Sequence, residues 1–129
     1  LRLREQLVQF TGAPVTDEAL RESFRLYNNE RALLRELYDH KRDFPDTISN
    51  REMFDLIRAS LFMDPVDLIP MLEAFKRETG AGKGDKQMLP VVLSGIAVEP
   101  MQLLDILDDL DVRVVGDELI VGSRMIDYD

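Results

Sequence analysis

The chain contains no cysteine, and that absence removes a large part of protein chemistry. Disulfides, zinc sites built on thiolates, cysteine nucleophiles and cysteine-held iron–sulfur clusters cannot be assembled from these 129 residues alone. Histidine occurs once, at His40, so a zinc site of the usual kind is excluded as well. No apolar run approaches the roughly 20 residues that a membrane-spanning helix needs. No signal peptide is read either, because Leu1-Arg2-Leu3-Arg4-Glu5 passes directly into helical pattern. Bases are outnumbered, with 16 Lys and Arg against 25 Asp and Glu and a formal net charge of −9. Nucleic-acid backbones and anionic membrane surfaces are held by Lys and Arg, so neither is expected as a partner. The expectation is a cytoplasmic protein.

What is present reads as globular: 45% hydrophobic and 32% charged residues, in a length suited to one domain. The missing initiator Met, and a stop at Asp127-Tyr128-Asp129 just after strand-like residues, predict a fragment of a larger subunit. Leu3, Leu7 and Phe10 form a short amphipathic helical stretch that ends at Thr11-Gly12. Thr16 is placed as an N-cap, with Asp17 and Glu18 in the first turn and Val15 and Leu20 as a hydrophobic staple. The helix it opens is predicted to reach about Tyr38, with Leu20, Phe24, Tyr27, Leu34 and Tyr38 as a core stripe widened by Leu26, Leu33 and Leu37. Pro45 breaks it. Ser49 with Glu52 forms a capping box, stapled by Ile48 and Met53, for a helix to about Phe62 that buries Phe54, Leu56, Ile57 and Leu61. Pro65 starts another helix, in which Pro70 should impose a kink or a later true start.

The character changes at Met88. Residues 1–87 read as a helical segment and 88–129 as a βαβ unit of the same domain. Leu89 to Leu93 is predicted as a short buried strand, and Glu99-Pro100 opens a helix facing inward with Met101, Leu104, Leu107 and Leu110. Val112 to Val115 is the second strand. The spacing suits a right-handed, Rossmann-like βαβ unit with a short parallel sheet. A hairpin turning at Gly116-Asp117 is the local rival. The fold class expected is therefore α/β.

Several residues invite chemistry. Gly80, Gly82, Lys83 and Gly84 resemble a phosphate loop, but they precede a strand, and Gly84 stands where the hydroxyl should be, so a solvated linker is the reading. Asp105, Asp108, Asp109 and Asp111 lack the pattern of a calcium loop and read as a solvated helix face. His40 is placed to complement the dipole at the end of its own helix. Two loops follow strand ends, where α/β folds bind ligands. Ser94 and Gly95 lie on the first, which leads to a helix at Pro100 whose amides could meet an anion. Gly122, Ser123 and Arg124 lie on the second. These five are the candidate substrate-binding residues, with plain turn chemistry as the alternative. No catalytic residue is assigned.

Thr11-Gly12-Ala13-Pro14-Val15-Thr16-Asp17-Glu18-Ala19-Leu20-Arg21-Glu22, then Tyr27-Asn28-Asn29-Glu30-Arg31, resembles the 2-hydroxyacyl-CoA dehydratase D-component family, which includes benzoyl-CoA reductase subunits. The likeness continues through Leu61-Phe62-Met63-Asp64-Pro65, Val91-Val92-Leu93-Ser94-Gly95, Glu99-Pro100 and Leu103-Leu104. It ends in Val114-Val115-Gly116-Asp117-Glu118-Leu119 and Gly122-Ser123-Arg124, so it covers nearly the whole chain in order and spacing. The resemblance implies the later, middle-to-C-terminal portion of a subunit that is not active alone. It implies a homologous second subunit, a CoA thioester and an ATP-dependent iron–sulfur activator. It also implies 4Fe–4S electron transfer, in lyase or oxidoreductase reactions of anaerobic metabolism. One departure stands out. The family commonly carries a cluster-binding Cys two positions before Gly-Ser-Arg, with Tyr after it, and here those positions are Ile120 and Met125. No metal ligand and no cofactor are therefore expected from this chain alone. The alternative function is a non-catalytic assembly paralogue that has lost the cluster.

Overall fold

The structure, a computed structural model, describes residues 2–79 and 87–126. It runs α1 (Arg2–Thr11), α2 (Asp17–Asp43), α3 (Asn50–Ala59), α4 (Pro65–Thr79), β1 (Leu89–Gly95), α5 (Gln102–Asp109), β2 (Val112–Leu119) and a 3₁₀ turn at Ser123–Met125. The α/β class, helices first and a parallel sheet after, is as expected. The glycine-rich stretch 80–86, read as a linker, lies outside the described residues.

Local chemistry explains the helix boundaries. Gly12 takes φ +69° and stops α1, and Thr16 Oγ1 accepts from Ala19 N at 3.1 Å to start α2. An ion pair from Arg4 to Asp17, 2.5 Å, ties the two helices. α2 passes the expected end at Tyr38 and continues to Asp43. Lys41 and Arg42 suit its negative end, and it stops only at Phe44, because the residue before a proline resists the helical conformation. Both bonds of the Ser49–Glu52 capping box form, at 2.8 and 3.0 Å. α3 ends at Ala59 rather than near Phe62; the chain tightens into i+3 bonds, Leu61 N to Arg58 O and Phe62 N to Ala59 O, which leaves Leu61 and Phe62 exposed. α4 begins at Pro65 and includes Pro70 without a delayed start. Asp64 Oδ1 accepts from Val66 N at 2.9 Å at its head.

The apolar stripe of α2 is core along only half its length. Leu33, Leu34, Leu37 and Tyr38 are buried, whereas Leu20, Phe24 and Tyr27 are exposed, and α1 buries nothing. The cause is placement: α4 lies along the later turns of α2. Glu36 meets Lys76 (2.6 Å) and His40 Nε2 meets the carbonyl of Thr79 (3.1 Å), so the two helices ascend together. His40 therefore serves the carboxyl end of α4 rather than that of its own helix. Where the stripe enters the core, Glu30 is buried with its Oε2 unpartnered among the described residues. Burial raises its carboxyl above the usual range, more than the charge of Arg31 lowers it.

β1 and β2 pair in parallel, Leu89 opposite Val112 through Gly95 opposite Leu119. β2 is one continuous strand through Gly116-Asp117, so the hairpin reading fails. The register shifts between Val91 and Val92, because Val115 is an extra residue bulged out of β2. β1 is not the buried strand expected: Leu89 is 62% and Val92 66% exposed. Packing explains this, since α2 and α5 contact β2, leaving β1 as the outer strand. Leu110, expected inward, is likewise exposed, whereas Met101 and Leu104 are buried. Two apolar clusters result, one among α2, α3 and α4, the other between the sheet and α5. They interlock: Phe54 of α3 joins the sheet cluster and Ile126 joins the helical one.

A buried polar set joins these clusters. Asn50, fully buried, donates from Nδ2 to Val112 O (2.8 Å), and its Oδ1 accepts from Val114 N (2.8 Å) and Lys41 Nζ (2.9 Å). Arg113, also buried, donates to Ile48 O at 2.6 Å and faces Asp108 at 3.5 Å. Asp108 in turn accepts from the backbone N–H groups of Asn50 (2.8 Å) and Arg51 (3.1 Å) at the head of α3.

Candidate functional site

Parallel strands place their following loops at one edge of the sheet, and the structure brings the two predicted loops together there. Val121 N donates to Ile96 O at 3.1 Å. Ser94 and Gly95 are the exposed last residues of β1. On the second loop, the turn from Asp117 to Ser123 is built around one carboxylate. Asp117, buried, accepts from Leu119 N (3.1 Å) and Ser123 N (3.0 Å) on Oδ1, and from the Tyr38 hydroxyl on Oδ2. The Ser123 hydroxyl donates to Asp117 O at 2.9 Å. Arg124 extends outward and pairs with Glu118 at 2.5 Å. Of the candidate residues, Ser123 is thus engaged in the turn, whereas Ser94 and Arg124 face solvent.

Gly122 is required by space rather than by its backbone angles. A Cβ there would stand 2.8 Å from Leu119 Cβ and still closer to Asp117 Oδ1, neither of which can retreat. Gly122→Ala should therefore cost roughly 1–3 kcal/mol, the range for an inserted group in a packed site, read as a lowered urea midpoint. Ser123 would lose its place on Asp117 with it.

Two cavities flank this turn. One, of about 240 Å³, is polar and includes Arg35, Arg42, Tyr38, Asp117 and Ser123 in its lining; Arg42 is paired with Asp39 at 2.9 Å. The other, of about 140 Å³, is lined chiefly by Phe54, Leu61, Phe62, Val98, Met101 and Val121, with the Arg58–Glu99 ion pair (3.0 Å) beside it.

At Pro100, where an anion was expected to meet helix amides, the helix starts later and part of its N-terminus is already engaged. α5 begins at Gln102, and its first amides are taken locally, Leu103 N by Pro100 O (3.1 Å) and Leu104 N by Met101 O (3.0 Å). The acidic cluster has structural work: Asp108 heads α3, and Asp105 pairs with Arg51 at 2.9 Å. No group of three or more His, Cys, Asp or Glu able to hold a metal occurs among the described residues. No described helix is long and apolar enough to cross a membrane. The anchor of the site, Asp117 with Tyr38, is not evident from the sequence, where Asp117 figures only in the rival hairpin turn; 79 positions separate the two, and no local pattern joins them.

Comparison with known proteins converges on one family. All of residues 1–129 match the 2-hydroxyglutaryl-CoA dehydratase, D-component, family. The chain is 31% identical over 130 residues to the beta subunit of a lactoyl-CoA dehydratase of Anaerotignum propionicum, covering 98% of this chain and 34% of that protein. It is 28% identical over 125 residues to the beta subunit of the (R)-2-hydroxyglutaryl-CoA dehydratase of Acidaminococcus fermentans (95% and 32% covered). It is 25% identical over 127 residues to a benzoyl-CoA reductase subunit of Thauera aromatica (96% and 33% covered). The chain thus spans about a third of the length of these relatives.

Proposed function

Because the chain belongs to the 2-hydroxyglutaryl-CoA dehydratase D-component family, we propose that it is part of a subunit of a dehydratase or reductase complex acting on CoA thioesters. Its role is to form one wall of the thioester site at the C-terminal edge of the β1–β2 sheet. The observation that carries this reading is the joined pair of loops, Val121 N on Ile96 O, flanked by one polar and one apolar cavity. A CoA thioester has both characters, an anionic nucleotide portion and a less polar pantetheine and acyl portion. Arg124 and Ser94 supply the outward-facing polar groups. The chemistry is iron–sulfur-dependent electron transfer to the bound thioester, and the partners are a homologous second subunit and an ATP-dependent iron–sulfur activator. The relatives' names, which describe each of them as one subunit of a dehydratase or reductase, support a multi-subunit assembly.

Calorimetric titration of the assembled protein with a CoA thioester tests the site. Arg124→Ala should weaken binding about tenfold, the loss of one charge-assisted contact of roughly 1.5 kcal/mol. Stability should change little, because the exposed pair with Glu118 contributes at most about 1 kcal/mol. Unchanged affinity would remove Arg124 from the site. The second reading, an assembly paralogue without the cluster, rests on Ile120 and predicts no thioester binding at all.

A further inference from the structure

We infer that residues 1–129 supply no ligand to any iron–sulfur cluster in the assembled protein. The inference rests on the reading above, in which such a cluster works beside the thioester. The residues at the sheet edge do not fit the group. Iron in these clusters is held by thiolates, with imidazole as the commoner substitute. The segment has no cysteine, and its one imidazole, His40 on the last turn of α2, is already engaged by the carbonyl of Thr79. At the position where the family resemblance places a cluster thiolate stands Ile120, whose aliphatic side chain has no lone pair to offer. It is also not a core-filling replacement: Ile120 is 56% exposed, beside Leu119 at 2%. Ile96, on the loop bonded to Val121, is 72% exposed. Ile120 and Ile96 therefore turn aliphatic side chains outward at the position where a thiolate would be needed.

The Ser94 hydroxyl faces solvent, and the side-chain oxygen atoms of the second loop's described residues are committed elsewhere. Both carboxylate oxygens of Asp117 accept hydrogen bonds from Tyr38, Leu119 and Ser123. The Ser123 hydroxyl is held by Asp117 O, and Glu118 is paired with Arg124.

The test uses the full-length protein with its partner subunit, purified without oxygen. Iron content and visible absorption are measured for the unaltered protein and for Ser94→Ala, Ser123→Ala and Glu118→Gln, with circular dichroism checking each fold. The expected result is the same iron content and the same absorption in all four. Loss of iron in any variant that keeps its fold would overturn the inference. Mössbauer spectra of the unaltered protein give a reading independent of variant folding. Tetrahedral sulfur ligation throughout, or no iron at all, is expected; an iron bound by oxygen or nitrogen that changes in these variants overturns the claim. Thioester titration of the same samples reports separately on the proposed function, since affinity can fail while the iron results stand.

Discussion

Asn50→Ala is expected to destabilise the protein by about 3–5 kcal/mol, the range for removing one partner from a buried charged network. The truncation takes a partner from three buried groups: Val114 N–H, Val112 C=O and the Lys41 ammonium, which keeps only Ile48 O. Each was taken out of water on the condition that Asn50 met it. The backbone N–H of Asn50 keeps its bond to Asp108, so the head of α3 is not itself unmade. Urea denaturation measures the loss. A change under about 1 kcal/mol would mean that water enters and replaces the amide. Asn50→Asp separates acceptor from donor. It keeps an acceptor for Lys41 and Val114 and abandons Val112 O, so it should cost less than alanine near neutral pH.

The second large effect concerns Lys41 and depends on pH. Its ammonium is fully buried and has no carboxylate in contact among the described residues; it donates to Asn50 Oδ1 (2.9 Å) and Ile48 O (3.2 Å). Burial, and then the charge of Arg113, lower its pKa from 10.5 to about 7, against the weaker pull of Asp108 and Glu52. Between pH 7 and 10.5 the unfolded chain holds this proton and the folded one has released it, so stability rises with pH across that window. Below pH 7 the lysine is charged in both states and the burial penalty is complete. The gap from 10.5 to about 7 corresponds to roughly 5 kcal/mol. Lys41→Met should remove this slope and raise stability at neutral pH, because no acceptor is orphaned. Ile48 O still receives Arg113, and Asn50 Oδ1 still receives Val114 N. Comparing urea denaturation of the two proteins at about pH 6, 8 and 10, chosen to bracket the window, isolates the lysine from other titrations. Parallel profiles would disprove the assignment.

Both predictions concern residues that the sequence alone presents as ordinary. Lys41 falls just past the expected helix end at Tyr38, and Asn50 after a capping serine looks like the first helical residue. Asn50 is bonded to β2, more than 60 positions away, and Lys41 is bonded in turn to Asn50. Signals confined to a few residues were legible. The Thr16 cap, the Ser49–Glu52 box and the strand–helix–strand spacing that demands parallel pairing all appear as read. Periodicity was less informative about burial. It places Leu20, Phe24 and Tyr27 on one face of α2, but whether a neighbour covers that face depends on where α4 lies. The same holds for β1, whose apolar run fits a covered strand and whose position in the sheet leaves it bare. At the site, the loops were found because topology puts strand ends together. Their anchor, Asp117 on Tyr38, was hidden by its separation in sequence.

The Asn50 side chain also decides where this sheet can grow. A strand exposes the C=O of one residue and the N–H two residues on along the same edge, and a neighbouring strand meets such a pair with one residue's own N–H and C=O. Asn50 meets Val112 O and Val114 N in that manner, so its amide is a one-residue surrogate strand on the far side of β2. That margin is closed to stray pairing. The margin beyond β1 is blunted differently. Leu89 N points to β2, bonding Asp111 O, so the backbone nitrogen of the next residue faces outward, and that residue is Pro90, which has no hydrogen to give. A strand added there must form its ladder from Val92 onward, toward the end where Ser94 and Gly95 meet the second loop.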